Sequence, residues 1–119
     1  MGQLDFPKTL RLQTGKAFKA VFDHVDRKFF TKGILVLVRK SSDLTPKLGL
    51  VVSKKNVSLA CRRNVFKRMI RESFRVNQLL LAGLDVVVLV RRDIVDVDRK
   101  SLWQALNQLW RSVGGMRGR

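Results

Sequence analysis

Between residues 62 and 75 stand Arg62, Arg63, Lys67, Arg68, Arg71 and Arg75, with Glu72 as their only acidic neighbour. Spacings of four from Arg63 to Lys67 to Arg71 align three of these cations on one ridge of a helix, with Arg68 and Arg75 beside it. On a free helix each neighbouring pair of like charges costs about 0.2–0.5 kcal/mol, and a bound row of phosphates reverses that penalty. Arginine presents a planar donor fork that matches a phosphate, so the Arg bias points to a polyanion more than to solubility alone. Lys54-Lys55-Asn56, just upstream, extends the same charge.

Phe18 and Phe22, four residues apart, offer two chemistries. Their periodicity suits a core stripe, and their rings also suit stacking of unpaired bases. Trp103 and Trp110, seven apart, read as packing residues near Leu106.

Groups for protein-based catalysis are scarce. His24 is the single histidine and Cys61 the single cysteine, which excludes an internal disulfide and a metal site built from several Cys and His ligands. Asp93, Asp96 and Asp98 lie close together but occupy the link from a strand into a helix, where carboxylates cap and complement the helix dipole. No G-x-S-x-G nucleophile motif is present. These residues speak for binding and against hydrolysis by the protein itself.

The whole chain carries the same message. Its 119 residues suit one domain, and a hydrophobic fraction of 45% can supply a core. Lys and Arg number 25 against 9 acidic residues, a net charge of +16 that calls for a polyanionic partner. A membrane surface is the competing partner, but the runs Ile34 to Val38 and Val86 to Val90 are five residues each, against the roughly 20 needed to span a bilayer. Nothing in Met1 to Leu12 reads as an export signal, so a cytoplasmic protein is expected.

The elements that must position these residues follow from periodicity. Thr14 can cap a first helix carrying Ala17, Phe18, Val21 and Phe22. Ile34 to Lys40 and Leu48 to Lys54 read as two antiparallel strands joined as a hairpin through Asp43-Leu44-Thr45-Pro46-Lys47, with Arg27 to Thr31 as a short edge strand. From Ser58 to Val76 the period turns helical, gathering Val65, Phe66, Met69, Ile70 and Phe74 opposite the cations. Asp85 to Val90 is a strand buried on both faces, and Asp98 caps a last helix with a stripe of Leu102, Ala105, Leu106, Leu109 and Val113. The expected architecture is an α/β (α+β) two-layer sandwich of order αβββαβα. It has a small mixed sheet of about four strands, and a flexible basic tail is expected over residues 114–119.

Taken in order, Gly49-Leu50-Val51-Val52-Ser53-Lys54-Lys55, Arg63-Asn64, Lys67-Arg68, Arg71-Glu72 and Phe74 resemble the bacterial ribonuclease P protein subunit. Phe6-Pro7, Leu10-Arg11-Leu12, Phe18 and Val21-Phe22 support that resemblance, which spans nearly the whole chain. It implies a left-handed βαβ crossover, against the usual handedness. It also implies a partner RNA that hydrolyses precursor tRNA with bound Mg2+, and a protein that binds no cofactor and assembles as one copy per RNA. The resemblance assigns Lys54, Lys55, Arg62, Arg63, Asn64, Lys67, Arg68, Arg71 and Arg75 to the catalytic RNA. Arg11, Phe18, Phe22, Val36 and Val52 are assigned to the 5′ leader of the precursor. One departure stands out: the family pattern Arg-Asn-Arg here ends in Val65, and Arg62 lies on a different side of the helix. The competing readings are another RNA-binding module, such as a ribosomal protein of similar fold, and a stand-alone protein nuclease.

Overall fold

The computed structural model describes residues 11, 12, 15–41 and 44–115. In chain order these form α1 (Gly15–Asp23), β1 (Arg27–Thr31), β2 (Ile34–Lys40), β3 (Lys47–Val51), α2 (Ala60–Val76), β4 (Leu84–Val90), a 3₁₀ turn (Arg92–Asp96) and α3 (Arg99–Gly114). The expected helices and strands are all present, including the short edge strand β1. Thr14, the expected cap of α1, lies outside the described residues.

The pairing of the strands corrects the sequence reading. The sheet runs β1-β2-β4-β3, so β2 and β3 are not a hairpin. β4 lies between them, antiparallel to β2 and parallel to β3. Ser41 and Leu44 both bond to the residue before β4, with Ser41 N–H donating to Gly83 O at 2.8 Å and Gly83 N–H donating to Leu44 O at 2.9 Å. The physical reason lies in β4 itself: Leu84, Val86, Val87, Val88 and Val90 are buried, so the strand needs cover on both faces and a ladder on both edges. The two strands flanking it keep the opposite directions that a hairpin would have given them.

Pleating divides the apolar residues between two layers. On one face Ile34, Val36, Val38, Leu48, Val86, Val88 and Val90 meet Phe66, Ile70 and Phe74 of α2 and Leu102, Leu106, Leu109 and Trp110 of α3. Polar bonds set the register of those two helices. Trp110 Nε1–H donates to Ser73 Oγ at 2.8 Å, and the Ser73 hydroxyl donates to Asn107 Oδ1 at 3.2 Å. Asn77 Nδ2 reaches the same Asn107 oxygen at 3.1 Å and the Ser73 carbonyl at 2.8 Å. The Phe74 and Trp110 rings meet edge to face at 5.6 Å and 86°. Trp110 is thus a packing residue, as its spacing suggested.

The other face carries α1, whose Val21 packs with Leu12, Leu37 and Val87. Two glycines make the layers fit. Gly33, at φ 83°, turns β1 into β2, and a Cβ there would lie 2.6 Å from the Ile94 backbone. Gly49 lets the Phe18 ring rest on β3, since a Cβ would fall 2.5 Å from its edge.

α3 is capped as expected, with Asp98 Oδ1 accepting from Ser101 N–H at 2.7 Å. It runs to Gly114 with Gly115 as C-cap, and residues 116–119 of the expected tail lie outside those described. α2 begins at Ala60 with Leu59 as N-cap, two residues later than expected and without a side-chain cap. Among the described residues no helix is long and apolar enough to cross a membrane.

Candidate nucleic-acid interface

The cationic flank of α2 follows from its buried stripe. With Phe66, Ile70 and Phe74 against the sheet, the helical period brings Asn64, Lys67, Arg68 and Arg71 to one side. Asn64 and Arg68 are exposed, while Lys67 and Arg71 are half-buried.

The other cations assigned to the same partner differ in their engagements. Arg63 Nη1 donates to the carbonyls of Val57 and Ser58, both at 2.9 Å. It ties the first turn of α2 to the loop that carries the exposed Lys54 and Lys55. Asn56 fixes the other side of that loop, its Nδ2 donating to Val90 O at 3.0 Å. Arg75 grips Glu72 with two bonds, Nε to Oε2 at 3.2 Å and Nη2 to Oε1 at 2.5 Å. The pair holds the Glu72 carboxyl below its usual range through the Arg75 hydrogen bond and raises Arg75 in turn. Arg62 points elsewhere, its guanidinium 5.7 Å over the Phe66 ring.

A second surface lies on the α1 side of the sheet. Register places Phe30 beside Leu35, Leu35 beside Leu89, and Leu89 beside Val51, a row that crosses all four strands on one face. α1 closes over Leu37 and Val87 of the adjacent row, while Leu35 and Leu89 of this one pack against that cluster and stay half-buried. Phe30 is 65% exposed, Phe22 on α1 45% and Val51 38%. Phe18 stands half-buried between Gly49 and this cleft.

Two of the residues assigned to the leader therefore lie on the opposite face of the sheet from α1. Val36 is wholly buried under α2 and α3, and Val52, just past β3, packs against that same layer. Each stands one residue from a side chain of the α1 face, because a shift of one along a strand moves a side chain through the sheet. The neighbours Leu35 and Val51 point into the cleft instead, and Phe30 and Leu89 complete a row that the sequence reading missed. The Phe29-Phe30 pair carried a usable signal, since one of two adjacent aromatics in a strand must face away from the core.

The two surfaces meet at a small hollow of about 130 Å³, bordered by Arg11, Leu12, Phe18, Gly49, Leu50 and Arg71. Arg11 is held there by an isolated bridge to Leu48, with Leu12 N–H donating to Leu48 O at 3.1 Å. Burial, and then the neighbouring charge of Arg11, lower Arg71 from its ordinary value. Two cations of one sign at a half-buried junction favour an anion between them.

The comparisons with known proteins agree with this geometry. A family model described as Ribonuclease P matches residues 6–114. The ribonuclease P protein component of Pseudomonas aeruginosa is 46% identical over 109 residues, covering 92% of this chain and 81% of its own. The corresponding Pseudomonas putida protein is 43% identical over 113 residues, covering 95% of this chain and 85% of its own. Among solved structures, the Thermotoga maritima RNase P protein, in complex with 1-(4-fluorophenyl)-2-thiourea, superimposes with a TM-score of 0.74 at 31% identity, covering 85% of this chain and 97% of its own. With the matched span, the sheet order and the cationic helix in agreement, the chain belongs to the ribonuclease P protein family.

Proposed function

We propose that the protein works as a two-sided adaptor within ribonuclease P, holding the catalytic RNA on α2 and the single-stranded 5′ leader of precursor tRNA in the α1 cleft. Family membership makes it a component of the ribonucleoprotein that matures tRNA 5′ ends. The observation that carries the finer reading is the contact between the two surfaces: Arg71 of the cationic flank borders the same hollow as Phe18 of the cleft. An RNA strand passing from one to the other meets cations first and then apolar surface on which bases stack.

In this reading Asn64, Lys67, Arg68 and Arg71 contact the catalytic RNA, with Lys54 and Lys55 on the adjoining loop. Arg63 positions that loop through its two carbonyl bonds. Phe18, Phe22, Phe30, Leu35, Val51 and Leu89 hold the leader. Arg11 and Arg71 bracket one phosphate at the crossing. Hydrolysis belongs to the RNA, with Mg2+ held there, and one protein serves each RNA in the cytoplasm.

Reconstitution tests the proposal. Added to a cognate ribonuclease P RNA at low Mg2+, the protein should stimulate leader removal and tighten binding of precursor over mature tRNA. No stimulation, or cleavage by the protein without RNA, would overturn it.

A further inference from the structure

We propose that the groove between α2 and the entry to α3 receives one unpaired nucleobase of the RNA subunit, with guanine the base whose edge fits it. The inference rests on the RNA-binding reading of α2 and adds a contact that phosphate neutralisation does not supply. The groove encloses about 400 Å³, within the range of about 300–1,000 Å³ typical of small-ligand sites. Its apolar wall is Val65 and Phe66 from one side and Val95 and Val97 from the other. Val95, at the lip, is 41% exposed.

The polar groups at its border suit a base better than a phosphate. Asp96 and Asp98 both line the groove and would repel an anion. Carboxylates accept from N–H groups, and guanine carries two such donors side by side on its pairing edge, N1–H and the N2 amine. Asp98 is fixed in place by the Ser101 amide at 2.7 Å. Arg62, stacked over Phe66, presents a planar cation to an inserted ring. Arg99 stands at the same border, where the flanking backbone would pass.

Continuity with the cationic flank selects RNA as the occupant. Val65 follows Asn64 directly and lies roughly 60° around the helix from Arg68. A strand lying on Asn64 and Arg68 therefore runs past the mouth of the groove. The net charge of +16 favours the same polyanion over a second protein.

The test uses the full-length protein assembled with its RNA. A Val95→Cys variant in a Cys61→Ser background is labelled with an aryl azide, photolysed in the assembled complex, and the crosslink mapped by primer extension. A crosslink at one unpaired guanine supports the proposal; crosslinks only to duplex, only to a second protein copy, or nowhere overturn it. Val95→Asn, expected to melt at the wild-type temperature because the site is partly exposed, should weaken RNA affinity about tenfold, as loss of one stacked base does. Its salt dependence should stay unchanged, whereas Lys67→Ala should flatten the slope of log K against log salt by about one. Unchanged affinity for Val95→Asn alone overturns the groove, whereas unchanged affinity for both variants overturns the RNA-binding reading of α2.

Discussion

Under α2 and α3 the side chains of Val36, Val38, Val86 and Val88 are wholly withdrawn from water, while one pleat away Phe30 keeps 65% and Val51 38% of its surface. Both faces of the sheet are apolar. They differ in their cover: 17 and 16 helical residues lie over the first face, and the nine of α1 lie over the second. A short helix closes one row of the sheet and covers the next only in part, leaving Phe30 and Val51 at its ends exposed. Contiguous apolar surface left open on a folded protein marks a place where something else binds. The same residue types thus form core on one face and, in the proposed reading, a binding surface on the other.

The comparison breaks most visibly under truncation. Ile70→Ala, on the closed face, should cost about 2–5 kcal/mol of stability in urea unfolding. Phe30→Ala, on the open face, should change stability by no more than about 0.5 kcal/mol. It should nevertheless weaken precursor tRNA binding by about tenfold, as expected for one lost stacked base, and leave mature tRNA binding unchanged. Equal effects on precursor and mature tRNA would remove Phe30 from the leader cleft.

The one-residue parity offers a sharper version. Val36→Ala should destabilise the fold by roughly 1–3 kcal/mol and leave leader affinity intact once the folded fraction is matched. Leu35→Ala, its neighbour, should reduce leader affinity with the smaller loss of stability. A reversed pattern would mean that the leader does not lie on the α1 side.

On α2 the contrast is between free and engaged cations. Lys67→Ala should remove about one unit from the salt slope of RNA binding, and Arg75→Ala should remove less, because Glu72 already holds that guanidinium. Equal slopes for the two would show that the ion pair opens on binding.

Asp98 gives the smallest effect and one with a defined sign. Its carboxyl is held below the ordinary aspartate range, first by the Ser101 amide. The stability it adds is therefore present above the unfolded value of about 4 and lost as pH falls through the lower folded value. Thermal melting from neutral to acid pH should show this loss, and Asp98→Asn, which can still cap the helix, should show less of it.

Much of the site was legible before any fold was known. Four-residue spacing placed Lys67, Arg68 and Arg71 on one flank of α2, because a helix repeats at short range and local sequence sets its faces. Arg62 fell on another side for the same reason, and Asp98 was recognisable as a cap. Strand neighbours were not legible to that degree. The turn-rich 43–47 segment looked like a hairpin because the interruption between β2 and β3 arrives from residues more than thirty positions later. In the leader cleft, parity within Ile34 to Val38 could not be read, since an unbroken apolar run gives no alternation to say which residues face which layer. Arg63 and Arg75 look alike in sequence, and only their partners, Val57 and Ser58 in one case and Glu72 in the other, separate them.

By itself the sequence determined that this chain folds with helices and strands in this order, that it seeks a polyanion, and which side of α2 would present the cations. Those properties depend on composition and on contacts a few residues apart. Tertiary structure alone decided that β4 inserts beside β3, that Leu35 and Val51 rather than Val36 and Val52 face α1, and that Arg71 meets Phe18 at one hollow. Each of these depends on which distant segment lies across a strand, and the energy of that choice resides in the packed sheet as a whole, where no local pattern of residues records it.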